Sequence, residues 1–493
     1  MLAKKGATMD IRRSFELALF AILLGGLGLP APSRAELRSS SGAQVGAPAP
    51  SLATRAPEPA PLRADPTSGV PQSFTAAQPP EGRVHSLRIF DNDFAWAYLV
   101  ELTPATQDFM LAKYERGLAF APYFDEFTDW YARAWEYEDL YAIYNCEQFG
   151  CAPYWAERTA YIFEQHPEWV LHGEDDAGQP IPLFIRFGCE VDGCPQFAAD
   201  VGNPAFRQFW IDAVAESLEA AEAAGFGYRG IFVDDVNLDL DRSVVRVAEG
   251  LDGEPVTSPG DPIDPRTGEV MTPEAWRGYV ADFLEEVRAA FPFHEIVHNP
   301  VWFHSDPDDE AWLRAVDAAD IVNFERGMID DGLTAGFGPF GVASFFAMND
   351  VVHERKRRLT HYVHRPAAAD ALEEEQQLEY ALAGWLLVSG GRDFFGSEAR
   401  STPDDWWSGF DTYLGAALGD REYFEDDGLY VREFEHGLVL LREPVASDDT
   451  IEVELGDPYL DQQGKIVWDV ELAARTGFVL RRVLAADSFK VNP

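Results

Sequence analysis

Short apolar runs that end in polar or charged residues recur between stretches of helical spacing, and this alternation sets the expected architecture. The runs cover 87–90, ending at Asp91; 118–121, before Tyr123; 140–144, ending at Asn145; and 230–233, ending at Asp234-Asp235. Further runs cover 296–297, ending at His298-Asn299; 321–324, ending at Glu325-Arg326; 359–363, ending at His364-Arg365; and 393–396, which contains Asp393. A helix over 206–224, started by Asn203-Pro204, leads into the fourth run. Thr272-Pro273-Glu274 opens another helix through Trp276, Val280, Phe283 and Val287, and a helix over 370–388 precedes the last run. Eight strands alternating with helices predict an α/β fold, a (β/α)8 TIM barrel over 83–425. From Gly428 the texture changes to short runs at 430–435, 438–442, 450–455 and 465–470, with His436-Gly437 as a turn. These predict a small C-terminal antiparallel β domain over 426–493.

The N-terminal layout and the cysteines lead to the expectation of an exported protein, which the charge fits. Lys4, Lys5, Arg12 and Arg13 precede an apolar stretch at 17–29, followed by Ser33-Arg34-Ala35. That is the layout of a cleaved signal peptide over 1–35, with a retained N-terminal anchor as the alternative; the stretch is short for a bilayer span. Residues 36–82 are rich in Pro, Ala, Ser and Gly without apolar periodicity, which predicts a disordered linker. A secreted or periplasmic protein with no membrane span in its mature chain follows. Cys146, Cys151, Cys189 and Cys194 form two pairs with the same spacing, and in an exported chain they predict disulfides, Cys146–Cys151 and Cys189–Cys194 being the favoured connectivity. Zinc is the competing reading, but its structural sites use other spacings and the flanking loops are rich in carboxylates and aromatics. A formal net charge of −45 repels nucleic acid and anionic membranes and disfavours a strongly anionic polymer as substrate.

In such barrels the active site lies at the C-terminal ends of the strands. This groups Asp91, Asn145, Asp234, Asp235, Asn299, Glu325, Arg326, Arg365 and Asp393 on one rim. Two carboxylates on nearby strands, one ionised and one protonated, are the minimum for cleaving a glycosidic bond. Successive strand side chains alternate in direction, so one of Asp234 and Asp235 is expected to face the mouth. Glu325 is the expected proton donor, because Phe324 and its apolar strand would raise its pKa. A salt-bridged rim, with Arg326 pairing Asp234 or Glu325, is the structural alternative. Tyr123, Trp130, Tyr131, Trp135, Tyr144, Tyr154, Trp155, Trp302, Trp406 and Trp407 make the expected rim loops aromatic, suited to stacking on sugar faces; Tyr144 and Trp302 are the candidates for substrate contact. No metal or other cofactor is expected. Gly336-Phe337-Gly338-Pro339-Phe340-Gly341 matches a nucleotide-binding spacing but contains proline and shows no opening helix. His361 and His364, on one strand, face opposite sides.

The block 203–210 (NPAFRQFW), followed by 225–237 (GFGYRGIFVDDVN), resembles the pattern of hypothetical glycosyl hydrolase family 15, with endo-α-1,4-polygalactosaminidase-like barrels as more distant relatives. Tyr228 or Arg229 stands where that pattern has Asp. The resemblance implies a TIM barrel and a glycoside hydrolase, and its alignment puts the functional carboxylate at Asp234. Asp235 would then orient a neighbour or bind a sugar hydroxyl. A second carboxylate at Glu325 is similar to related barrels. The expected function is hydrolysis of a neutral or cationic polysaccharide or oligosaccharide. A non-catalytic carbohydrate-binding or envelope protein on the same scaffold is the alternative.

Overall fold

The computed structural model describes residues 89–90, 103–122, 124–151, 153–189, 193–249, 255–363, 371–397, 406–444 and 449–483. The expected signal peptide and linker, together with Asp91, Tyr123, His364 and Arg365, lie outside the described residues. Within them one sheet holds β1 (Ile89–Phe90), β2 (Arg116–Ala119), β3 (Ala134–Asp139), β4 (Gly230–Val236), β5 (Glu295–Pro300), β6 (Ile321–Glu325), β7 (Arg358–Val363) and β8 (Phe394–Ser397). The strands pair in that order, and all pairs are parallel. Leu118, Trp135, Phe232, Val297, Ile321, Tyr362 and Phe394, one from each of β2 to β8, form a single apolar cluster. A flat sheet could not bring them together, so the sheet curls around them. Trp135 on β3 meets Phe394 on β8 edge to face at 5.9 Å.

The other face of the sheet buries Ile231, Val233, Ile296, Val322, Leu359 and Phe395 against helices. These include α1 (Pro104–Lys113), α2 (Pro153–Gln165), α3 (Pro204–Ala224), α4 (Pro273–Ala290), α5 (Glu310–Ala318), α6 (Val342–Glu354) and α7 (Ala371–Val388). Helix starts follow from local chemistry. The side chains of Asn203 and Thr272 accept from the N–H of Ala205 and Ala275, with proline at the next position, and Gly225 ends α3 in the left-handed region. Gly230 has no alternative, because a Cβ there would lie 1.8 Å from the Glu295 carbonyl oxygen. The glycine-rich stretch 336–341 does open a helix, contrary to expectation: Gly341 is the N-cap of α6, which follows a short 3-10 turn (Gly327–Ile329) and a loop rather than a strand.

Two expectations about strands are corrected. The third parallel strand is Ala134–Asp139, not the run at 140–144. Its outward face carries Glu136 and Glu138, which hide the apolar pattern; Glu138 is buried against Arg158 at 2.5 Å. Ala142–Tyr144 instead pairs antiparallel with Gln196–Ala198, in a five-stranded side sheet completed by Phe184–Ile185, Val244–Glu249 and Pro255–Pro259. This side sheet is built from the insertions that follow β3 and β4. Asp393 lies at the start of β8, the opposite end from Glu325: it accepts from Leu359 N at 2.9 Å, Gly390 N at 2.6 Å and His353 Nε2 at 3.0 Å. It therefore caps the turn that enters the strand.

That same N-terminal end is closed by a buried charge cluster. Glu295 accepts from Arg116 Nε and Trp135 Nε1, each at 2.7 Å, and from Arg358. Beyond β8, an antiparallel sheet contains β9 (Glu422–Phe424), β10 (Leu429–Phe434), β11 (Gly437–Arg442), β12 (Ile451–Leu460), β13 (Ile466–Leu472) and β14 (Thr476–Arg482), in the spatial order β9-β10-β11-β14-β12-β13. Val439, Leu441 and Val479 join the main core. Leu438, Leu440 and Leu480 form a second cluster with Tyr459 and Leu472. The sheet meets α7 directly, with Glu379 Oε1 accepting from Val479 N at 2.9 Å. Cys146 is joined to Cys151 and Cys189 to Cys194. Among the described residues no helix is long and apolar enough to cross a membrane.

Candidate active site

The site begins with a slip in strand pairing. On β5, His298 pairs with Val233 and Pro300 with Val236, so the single residue Asn299 stands opposite both Asp234 and Asp235. This is a β-bulge, and Asp235 takes the left-handed backbone it requires, at φ 55°. The expectation of strict alternation is thereby corrected at the pair itself, because the bulge interrupts it between Asp234 and Asp235. Phe232 faces the interior cluster, whereas Val236 has returned to the outer core. Both aspartates share one electrostatic site: burial, then the charges of Asp234, Asp139 and Glu325, push the Asp235 carboxyl well up.

Three donors converge on Asp234. Asn299 Nδ2 reaches Oδ1 at 2.7 Å, the Asp235 N–H reaches the same oxygen at 2.8 Å, and the Tyr137 hydroxyl hydrogen-bonds Oδ2. Burial, followed by the facing Glu325 charge, raises its pKa, and these donors oppose the rise. Asn299 Nδ2 also donates to Glu325 Oε2 at 2.7 Å. One nitrogen thus spans two carboxylates on β4 and β6, and the two bonded oxygens are no further apart than twice that distance. Such a pair titrates jointly, because a charge on either member disfavours a charge on the other.

A further carboxylate escapes the reading of the sequence. Asp139, at the end of β3, pairs in register with Asp234 and is 7% exposed. Its Oδ1 lies 3.1 Å from the Tyr137 hydroxyl, and its Oδ2 accepts from Tyr144 at 2.6 Å. Burial and then the Asp234 charge push its carboxyl up to about 7. The signal is present in 134–139 (AWEYED), where Trp135, Tyr137 and Asp139 share one face of an alternating strand.

The remaining predicted residues divide. Tyr144 belongs to the site through Asp139, carried there by the side sheet. Asn145 does not: it is the N-cap of a short helix (Cys146–Phe149), and its side chain binds Gln148 at 3.0 Å and the Cys194 carbonyl at 3.2 Å, tying the two disulfide loops together. Trp302 is core, 5% exposed and edge-on to Phe345 at 5.1 Å. Trp135 and Tyr131 are fully buried as well. Arg326 adopts a left-handed backbone at φ 65° and its N–H donates to the Tyr362 carbonyl, holding the end of β6 against β7. Asp393 is at the far end of the sheet. The rim aromatics that do cluster beside Tyr144 are Trp155, at 4.9 Å, and Tyr154, at 5.0 Å from Trp155. Among the described residues no group of three or more His, Cys, Asp or Glu side chains could hold a metal ion.

The family described as hypothetical glycosyl hydrolase family 15 matches residues 135–438, more than half of the chain, including Tyr137, Asp139, Asp234, Asp235, Asn299 and Glu325. The chain belongs to this family. No curated protein sequence matches it. Similar solved structures include the glycoside hydrolase domain of PelA from Pseudomonas aeruginosa, at 14% identity and TM-score 0.34, covering 67% of this chain and 97% of that one. The maltogenic α-amylase AmyB from Thermotoga neapolitana gives 11% identity and TM-score 0.43, with 81% and 99% covered. A GH30 endoxylanase from Clostridium papyrosolvens gives 8% and 0.38, with 82% and 98% covered. Superpositions this loose transfer no residue role to the family 15 chain. Membership supports glycosidic bond hydrolysis in general terms, and the chemistry of the site has to be argued from its own atoms.

Proposed function

We propose that this protein is an exported, retaining glycoside hydrolase in which Asp234 is the nucleophile and Glu325 the acid/base. The curled sheet is read as a closed (β/α)8 barrel, with the C-terminal sheet docked on it as a β domain. The observation that carries the assignment is the sharing of Asn299 Nδ2 by the two carboxylates. The shared donor holds one oxygen of each acid close to the other, and the carboxyl groups are taken to have the about 5–5.5 Å separation of a retaining pair rather than the about 6.5–9.5 Å of an inverting one. Three donors on Asp234 favour its ionised form, and mutual repulsion then directs a proton to Glu325.

Asp234 attacks the anomeric carbon as the glycosidic C–O bond breaks, and Glu325 gives its proton to the departing oxygen. Glu325, now ionised, takes a proton from water, which attacks the glycosyl ester and releases Asp234. Asp235 is assigned to a sugar hydroxyl. Asp91 and Arg365, which follow β1 and β7 in the sequence, remain candidates for the same task. A net charge of −45 favours a neutral or cationic polymer as substrate.

A panel of aryl glycosides and polysaccharides, read by reducing-end release and by binding, tests the reading. Asp234→Asn should abolish turnover while preserving sugar binding. Glu325→Gln should slow substrates with poor leaving groups most, with activated aryl glycosides largely spared. Wild-type turnover by folded Asp234→Asn protein would overturn the assignment. Binding without hydrolysis by the wild type would favour a carbohydrate-binding protein instead.

A further inference from the structure

The Tyr137 hydroxyl faces two carboxylates but owns one hydrogen. Oδ2 of Asp234 and Oδ1 of Asp139 are both its partners, the second at 3.1 Å. If both acids were ionised, one of these contacts would set oxygen lone pairs against each other in a buried site. A second hydrogen is therefore required, and it has to sit on one of the carboxyls. Asp234 already accepts from Asn299 Nδ2 at 2.7 Å and from the Asp235 N–H at 2.8 Å, which marks it as the ionised member. Apart from the Tyr137 contact itself, the Asp139 carboxyl accepts at Oδ2, from Tyr144 at 2.6 Å, which leaves Oδ1 to carry the hydrogen.

We infer that Asp139 is held as a neutral acid whose Oδ1–H donates to Tyr137, so that the single Tyr137 hydrogen is committed to Asp234. Asp139 is thus a positioning residue that acts through Tyr137. The groups around it agree. On its own strand are Tyr137 and Glu138, the latter paired with Arg158 of α2 at 2.5 Å. From β4 come the charges of Asp234 and Asp235, and from the residues after β3 come the hydroxyls of Tyr141 and Tyr144. Burial leads the causes that raise the Asp139 pKa, and the Asp234 charge follows it. The consequence for catalysis rests on the proposed role of Asp234: when Asp139 ionises, the Tyr137 hydrogen is divided between two anions and the nucleophile loses a fixed donor.

Infrared spectroscopy of the substrate-free protein tests the protonation state without relying on activity. The wild-type minus Asp139→Asn difference spectrum should show a carboxylic-acid carbonyl band near pH 6 that fades as pH rises past about 7. Tyr137→Phe should shift that band, because the acid loses its acceptor; this arm stands even if Asp139→Asn fails to fold. Asp139 is raised in the folded state, so the stability tied to its proton is present below its ordinary value of 3.8 and is lost as pH rises through about 7. Wild type should therefore lose ground to Asp139→Asn over that interval. If a substrate is found, wild-type turnover should step down to a lower plateau across that ionisation, and Asp139→Asn should lack the step while keeping the alkaline limb set by Glu325. No acid band in the difference spectrum and a pH-independent stability gap would overturn the inference. A band without hydrolytic activity would leave it standing and remove the proposed function.

Discussion

Asn323 Nδ2 donates to Asn299 Oδ1 at 2.8 Å, and this bond decides which way the Asn299 amide faces. With its oxygen engaged on β6, Asn299 must turn its nitrogen toward Asp234 and Glu325. The orientation of one amide therefore sets how the two carboxylates are held. Asn323 is 1% exposed, so no solvent replaces the bond when it is removed.

Asn323→Leu should accordingly leave the Asn299 oxygen without its donor in a buried place. The expected cost is about 1–3 kcal/mol of stability. Urea unfolding checks that figure. Turnover should fall by more than the loss of stability explains, because the amide is then free to reverse and present its oxygen to two acids. Unchanged kinetics in a destabilised but folded variant would show that the Asn299 orientation does not need Asn323.

At the other end of the sheet, Glu295 is held well below the usual carboxylate range, down to about 2; burial opposes this, and the hydrogen bonds and charges of Arg116 and Arg358 overcome it. A depressed pKa gives stability that is present above the ordinary value of 4.5 and is lost as pH falls toward 2. Glu295→Gln leaves the buried Arg116 guanidinium and the half-buried Arg358 one without the Glu295 charge, at an expected cost of about 3 kcal/mol near neutrality. The difference from wild type should shrink as pH falls through that window. Chemical denaturation at a series of pH values checks both magnitude and sign, and a gap that widens in acid would contradict the linkage.

Much of the fold is legible in the sequence because helix starts are local. Asn203-Pro204 and Thr272-Pro273 announce α3 and α4 through the cap and the following proline, whatever the rest of the chain does. Strand β3 is not legible, since Glu136 and Glu138 occupy its outward face and only the folded protein supplies Arg158 and the burial that accommodate them. The candidate site divides in the same way. Asp234, Asp235, Asn299 and Glu325 stand at the ends of apolar runs, where the chain itself points to them. The bulge that sets Asn299 against both aspartates is a property of pairing between β4 and β5 and has no signature in either strand alone. Asp393 is expected at the wrong end although it opens its own run: it enters the strand, and only a residue that follows the apolar positions reaches the C-terminal rim.

The contact between the C-terminal sheet and α7 leaves no room for side-chain growth. A Cβ on Gly477 would stand 2.9 Å from the Ala383 Cβ and 3.2 Å from the Leu440 carbonyl oxygen. Gly477→Val should force the sheet off α7 and break the bond from Val479 N to Glu379. Limited proteolysis should then release a fragment that begins near Gly428, whereas wild type should keep the C-terminal sheet attached. Equal resistance in both proteins would mean that the sheet docks without this contact.

The stereochemistry of hydrolysis is the sharpest consequence of the shared Asn299 nitrogen. Direct displacement needs room for both a water and the anomeric carbon between Asp234 and Glu325, more than is left by oxygens that each lie 2.7 Å from the same donor. The covalent route needs no such space, because Asp234 itself reaches the anomeric carbon and water enters only after the leaving group has gone. The first-formed product should therefore have the same anomeric configuration as the substrate. Proton NMR of the anomeric signal during early turnover reads this before mutarotation scrambles it. Transfer of the glycosyl group to an added alcohol should accompany hydrolysis, since the ester on Asp234 can be intercepted. An inverted first product, with no alcohol adduct, would require the two carboxylates to separate on binding substrate, and would take the nucleophile's role away from Asp234.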